Sequence, residues 1–204
     1  MRKPVIIHDD DRVVMTAGEA RAGFTRRGDR WIHSIGRAAE GAIELAASVE
    51  SDPDRDPAGS IVSPVYQELH RHEIEGESSL CLLLTGCFLD HHFSAAASLT
   101  SAGVLEIDVA DRCRGLVQSL AATYTVALDS SRLVDADPSR IVWAGGVLGD
   151  YRLELEAEPP STLALAEAGR RATRAQIIAA IDPSSFTRRL RYRWRWASVR
   201  GGTA

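Results

Sequence analysis

The residue pattern that decides the fold is clearest near the end of the chain, in Arg188-Arg189-Leu190-Arg191-Tyr192-Arg193-Trp194-Arg195-Trp196. Successive side chains of a β-strand point to opposite faces, so strict alternation indicates a strand with one polar and one apolar face. One face carries Arg189, Arg191, Arg193 and Arg195, and the other carries Leu190, Tyr192, Trp194 and Trp196. We therefore predict a strand over 188–198 with its aromatic face toward the core.

The same period of two runs through most of the chain. It predicts two strands around the Gly28-Asp29 turn and further strands over 43–50, 65–74, 80–85, 91–99, 104–109, 120–128, 141–143, 151–157 and 162–168. The segment 80–85 is almost wholly apolar, which is typical of a strand buried on both faces. A helix fits 43–50 nearly as well and is also open for 169–181. Many short strands separated by turns predict an antiparallel β-sandwich or small β-barrel with one or two short helices.

The length and composition are those of a single globular unit. The chain has 204 residues, of which 45% are hydrophobic and 25% charged. A chain of this length suits one domain and needs no disulfides to fold. We predict a polar N-terminal segment over 1–23, one β-rich domain over 24–198 and a flexible tail over 199–204.

Net charge, apolar runs and cysteine content indicate the cellular location of the protein. The net charge of -4 gives no argument for nucleic acid or an anionic membrane as a partner. No apolar run approaches the ~18–20 residues of a membrane-spanning helix, and the N-terminus lacks the pattern of a signal peptide. The three cysteines are odd in number and irregularly spaced, which argues against a disulfide framework. These features predict a cytoplasmic protein.

Four of the six histidines fall close together in the sequence, as His70, His72, His91 and His92. His70 and His72 lie two apart on a predicted strand, so their side chains share a face. If the following strands form a meander, His91 and His92 could approach them. Imidazoles joined by a carboxylate are ligands for zinc, iron or manganese.

The stretch His70-Arg71-His72-Glu73-Ile74-Glu75-Gly76-Glu77 resembles the first metal motif of cupins. That motif has two histidines one residue apart followed by a glutamate, here Glu77. The resemblance implies a metal-dependent enzyme built on His70, His72, Glu77 and His91 or His92. The alternative is that His70 and His72 lie on the solvent face of an edge strand, with His91 a half-buried residue hydrogen-bonded to a neighbour.

The arginine row also allows two interpretations. From Phe186 onward there are six arginines and no acid, while the remaining chain carries 18 basic and 28 acidic residues, a net of -10. The row can follow a phosphate backbone or pair with carboxylates on adjacent strands. The aromatic face of the strand can cover the core or line a ligand cavity. Cys113 lies between Arg112 and Arg114 in a predicted loop, and we assign it no role.

No arrangement of residues in the sequence identifies a catalytic site. The first hypothesis is therefore a non-catalytic module that binds a small molecule or assembles with a protein partner or a second copy of the chain. The alternative is a cupin-like metal-dependent enzyme that uses the histidine cluster. The third is an anion or nucleic-acid binder that uses the arginine strand.

Overall fold

The chain folds into two antiparallel sheets of eight strands each, packed face to face. A computed structural model describes residues 4–38, 43–52, 61–72, 80–169 and 171–199. The helical elements that lie wholly within these residues are two single 3-10 turns, Ser130–Arg132 and Gly146–Leu148. The prediction of a mainly β antiparallel sandwich is confirmed.

The first sheet combines N-terminal hairpins with three strands from later in the chain. In spatial order its strands are β1 (Val5–Asp9), β2 (Arg12–Ala17), β3 (Ala20–Arg27), β4 (Arg30–Arg37), β5 (Glu44–Val49), β10 (Ala121–Val126), β15 (Thr173–Ile178) and β14 (Thr162–Glu167).

The second sheet carries the arginine strand near its centre. In spatial order its strands are β11 (Leu133–Ala136), β12 (Arg140–Ala144), β13 (Tyr151–Ala157), β16 (Thr187–Ser198), β9 (Val104–Cys113), β8 (His91–Leu99), β7 (Leu80–Phe88) and β6 (Glu68–His72).

Three expectations differ from the structure. The sandwich begins before residue 24, because β1, β2 and the start of β3 already belong to the first sheet. The helix considered for 169–181 is wrong: β15 occupies this region, and its Ala175 and Ile177 enter the core on alternate positions. The segment 80–85 is not buried on both faces, because Leu83 and Thr85 are exposed on the outer face of the second sheet.

The core lies between the two sheets and is built from the inner positions of nearly every strand. The indole ring of Trp194 stacks on that of Trp143 at 6.2 Å and meets the Tyr124 ring edge-on. A polar link crosses between the sheets here, from Tyr192 on β16 through the Tyr124 hydroxyl (2.8 Å) to Nε2 of His33 (2.5 Å). Burial lowers the pKa of His33 to about 4, so this imidazole is neutral at pH 7.

A side-chain clasp extends the pairing of β7 beyond the end of β6. The side-chain nitrogen Nε2 of Gln67 donates to the Cys87 carbonyl at 3.0 Å, and its side-chain oxygen Oε1 accepts from the Cys87 backbone amide at 2.7 Å. Gly86 makes this close approach possible, since a Cβ there would lie 2.2 Å from the carbonyl oxygen of Val65. These two hydrogen bonds take the place of the pair that the backbone of a neighbouring strand would form with Cys87.

No helix among the described segments has the length and apolar character needed to cross a bilayer.

Candidate functional site

An open cleft of about 930 Å³ lies at one end of the second sheet. The β7–β8 turn, the end of β9 and the segment leading into β16 form its walls. Its polar lining includes Asp90, His92, Arg112 and Arg114. The volume is within the range of roughly 300–1,000 Å³ that is common for ligand sites.

The cleft carries two arginine side chains that no acid of the described segments neutralises. Arg112 and Arg114 are two residues apart and both exposed, and His92 is the direct cross-strand neighbour of Arg112. Among the described residues, no carboxylate lies at ion-pairing distance from either guanidinium. Asp90 is the acidic residue of the lining, so the cleft carries excess positive charge.

Large apolar side chains stand exposed around these cations. Leu116, Leu89 and Phe186 are 82%, 76% and 71% exposed, the highest values for large hydrophobic residues in the described chain. Leu89 and Phe186 line the cleft, and Leu116 follows the lining residue Gly115. Apolar residues concentrated in this way are typical of interaction sites.

Leu89 is also held in an unfavourable backbone conformation. It occupies the first position of the two-residue turn between Phe88 and His91, with φ of 52°. Glycine is favoured in this region, and a bulky side chain there is strained. An exposed leucine at such a position contributes neither packing nor good turn geometry, which favours a role in binding.

The floor of the cleft rests on buried polar groups. Arg188, inside the sandwich, donates from a guanidinium nitrogen to the Cys113 carbonyl at 3.0 Å, and the Cys113 amide donates to the Phe186 carbonyl at 3.2 Å. Both backbone groups between Arg112 and Arg114 are thereby anchored. Beside them, the fully buried Asp111 accepts from Nδ1 of His91 at 2.9 Å.

The structure does not bring the four histidines together. His70 and His72 lie exposed on the edge strand β6, whereas His91 is buried and His92 lines the cleft. The register pairs His70 with Leu83 and Leu83 with Ala96, five positions along β8 from His91. At ~3.3 Å per residue, His70 and His91 are roughly 16 Å apart along the strands alone.

The described residues contain no group of three histidine, cysteine, aspartate or glutamate side chains placed to hold a metal ion. Glu77 lies outside the described residues. Metal binding by His70, His72 and Glu77 therefore stays a prediction, without His91 or His92 as neighbours.

The arginine row lies on the outer face of the second sheet, and most of it is matched by acids. Arg189 is bidentate to Asp108 and Arg191 contacts the same carboxylate at 3.1 Å, while Arg193 pairs with Glu156. Partial burial raises the pKa of Asp108, but hydrogen bonds and charges from Arg189 and Arg191 outweigh it and hold the pKa below its ordinary value.

Arg195 differs from the other members of the row. Its cross-strand neighbour Glu154 is already bound by Arg140 at 3.0 Å and by Arg152 at 3.1 Å. Arg195 has no ion pair with the part of the chain that the structure describes. The row thus forms a ladder of cross-strand ion pairs with one open position.

The aromatic face of β16 belongs to the core. Tyr192, Trp194 and Trp196 are all buried. Among the described residues, the small cavity beside Tyr192 has a volume of about 10 Å³, which is room for one water at most. Trp194 packs in the core, while Tyr192 and Trp196 also border open pockets of about 210 and 460 Å³. A ligand-binding role for this face therefore stays a prediction.

Sequence reasoning missed the cleft, whose residues come from three separated regions of the chain. The available signal was the pair of basic residues in Arg112-Cys113-Arg114. The predicted strand ended at Val109 and left these residues in a loop, whereas β9 runs on to Cys113. The exposed Leu89 and Phe186 gave no sequence signal, because single apolar residues in turns are common.

Comparisons with known proteins identify the fold. No protein-family model matches the chain, and no curated protein matches it. Among solved structures, a heparinase III with methylated lysines shares the fold with a TM-score of 0.58 and 6% sequence identity over 96% of this chain. A second heparinase III structure gives a TM-score of 0.50, also with 6% identity. The chain spans about a third (36%) of the length of the first neighbour, and at this identity the likeness concerns the fold alone.

Proposed function

We propose that the protein is a non-catalytic binding module that holds an anionic ligand in the cleft at the end of the second sheet. The observation that carries the proposal is the contrast between two groups of arginines on one sheet. Arg189, Arg191 and Arg193 are matched by carboxylates, whereas Arg112 and Arg114 face an open cleft without a partner among the described residues. A guanidinium binds carboxylate, sulfate or phosphate groups through two parallel hydrogen bonds.

The proposal includes a cytoplasmic location. It is supported by Cys81, Cys87 and Cys113, which are all unpaired thiols in the structure. Free thiols are typical of reducing compartments.

A short heparin oligosaccharide is the first probe, because it is a polyanion and the structural neighbours carry the name heparinase III. Binding is measured by isothermal titration calorimetry at two salt concentrations. We expect binding that weakens with salt and falls roughly tenfold or more in the R112Q/R114Q variant, since two charged hydrogen-bond donors are lost.

The matched control is R189Q/R191Q, which removes the same charge from the same sheet where arginines are already paired. We expect this variant to bind within about twofold of the native protein. Equal binding by R112Q/R114Q and the native chain, or an equal loss in both variants, would contradict the assignment of the cleft.

A further inference from the structure

We infer that the anion this cleft receives is supplied by a second copy of the chain, through the aspartates at the tip of its β1–β2 hairpin. The inference rests on the proposed function of the cleft and names its partner. It predicts a two-fold dimer in which each copy inserts its hairpin tip beside Arg112 and Arg114 of the other.

The hairpin offers carboxylates that are free to bind elsewhere. Asp9, Asp10 and Asp11 are consecutive and exposed at the turn between β1 and β2. The Asp10 amide donates to the Asp9 carboxylate at 2.9 Å, and the Arg26 amide donates to the Asp11 carbonyl at 2.8 Å, which anchors the turn to β3. The turn is therefore anchored, while all three aspartates remain exposed to solvent.

Basic residues also lie near the hairpin, but those that the structure describes form no ion pair with these carboxylates. Arg12 follows the turn, and Arg26 and Arg27 lie on β3. Within the described part of the chain, none of the three forms an ion pair with Asp9, Asp10 or Asp11.

The apolar surroundings of the two partners also match. Ile7, two residues before Asp9 on the same face of β1, is 64% exposed. The cleft presents Leu89 and Phe186 beside its arginines, and the exposed Leu116 follows the lining residue Gly115. Pairing the hairpin with the cleft covers both sets of apolar side chains and neutralises both sets of charges, as the centres of protein interfaces do.

The hairpin tip and the cleft lie at the same end of the sandwich. The other end of β2, at Ala17, and the start of β3, at Ala20, contact Gly103 in the β8–β9 turn: a Cβ on Gly103 would lie 3.3 Å from the Ala17 carbonyl oxygen and from the Ala20 Cβ. The cleft lies at the other end of β8 and β9, beside Leu89 and Cys113. The tip of the β1–β2 hairpin lies at the end of β2 that is far from Gly103. The tip and the cleft are therefore both at the end of the sandwich opposite Gly103.

This arrangement favours a closed two-fold dimer over an open chain of copies. When a surface carries an acidic element beside a basic one, rotating a second copy by half a turn places each acid opposite a base. Both contacts are then made at once, and no unsatisfied hairpin or cleft is left to recruit a third copy.

The test is sedimentation velocity of the full chain over a range of concentrations, at low and at high salt. We expect a dimer at low salt that dissociates as salt rises. The charge reversals D10R/D11R and R112D/R114D should each be monomeric, because like charges then face one another. An equimolar mixture of the two variants should regain the dimer, since both contacts of the mixed pair join opposite charges.

The apolar part of the surface is tested separately with L89G. Glycine fits the positive φ of this turn, so the variant keeps its melting temperature. We expect its dimer to dissociate at roughly tenfold higher concentration than the native one, because a central apolar contact is lost.

Heparin binding distinguishes failure of the inference from failure of the proposed function. D10R/D11R keeps the cleft and should retain heparin binding, whereas R112D/R114D should lose it. If D10R/D11R still dimerises, if the mixture stays monomeric, or if the native chain is monomeric throughout, the inference is wrong and the cleft assignment stands. If R112D/R114D binds heparin normally, both are wrong.

Discussion

Glu50, next to the end of β5, has the most unfavourable environment for its charged form. Both of its carboxylate oxygens are buried and have no hydrogen-bond partner within the described part of the chain. Burial is the largest cause that raises its pKa from 4.5 to about 8. The positive charge of Arg30 lowers the pKa, and the negative charge of Asp29 raises it. The folded protein therefore carries this group protonated at neutral pH, while the unfolded chain releases the proton.

The sign of the pH dependence follows from that difference. The contribution of Glu50 to stability is fully present below about pH 4.5 and is lost as the pH rises through about 8. We expect E50Q to raise the free energy of unfolding at pH 8 by an amount on the order of a few kcal/mol. Urea unfolding of the native chain and of E50Q between pH 5 and 8 measures it, with E106Q on the exposed face of β9 as the control. Parallel curves for native protein and E50Q would contradict the prediction.

At the residue scale, the sequence predicted those features that depend on alternation along one strand. The division of β16 into arginines outside and aromatics inside is confirmed, because a strand fixes the face of each residue. The unpaired Glu50 and the link between His33, Tyr124 and Tyr192 were not predictable. Both depend on which strands from distant parts of the chain pack together.

Strand β7 shows how one residue can fix the position of a whole element. A Cβ on Gly86 would lie 2.2 Å from the Val65 carbonyl oxygen and 2.8 Å from the Tyr66 Cα, both of them backbone atoms that have no side-chain freedom to move away. We expect G86A to lower the free energy of unfolding by about 3 kcal/mol. Chemical denaturation compares it with G23A in β3, where the nearest atom is the Ser34 hydroxyl at 3.1 Å. Similar losses in the two variants would show that Gly86 has no special role.

The edge strand β6 permits a direct test of metal binding. His70 and His72 share its exposed face with Glu68, whose carboxylate lies 3.6 Å from His70 Nε2, but no three such side chains in the described residues are placed to hold a metal ion. Two imidazoles alone do not complete a zinc site, so we expect tag-free protein to carry well below one transition metal per chain. Elemental mass spectrometry of the native protein and of H70A/H72A checks this. A stoichiometric metal that the variant lacks would restore the cupin-like interpretation.

The elements themselves were largely predictable, and the errors have physical causes. Strands with one buried face, such as β8 and β13, have the predicted bounds because burial and alternation agree. β15 was ambiguous because alanine and isoleucine fit a helix and a strand alike. β1 and β11 were missed because edge strands bury little apolar surface and so show little alternation.

For the whole molecule, the shared core predicts that the two sheets unfold together. Trp31 reports on the first sheet, and Trp143, Trp194 and Trp196 report on the second. We expect the fluorescence of a W31F variant, which follows only the second sheet, to change at the same denaturant concentration as the circular dichroism of all strands. Separate midpoints would indicate two independent units and contradict a single domain.

The Gln67 clasp has a consequence for how the molecule behaves at high concentration. An exposed strand end with free amide and carbonyl groups is a template on which another polypeptide can add and begin an aggregate. At Cys87 both groups are already taken by the Gln67 side chain. The end of β7 next to the cleft therefore cannot accept an added strand. Contacts between protein molecules at this end depend on their side chains and stay reversible.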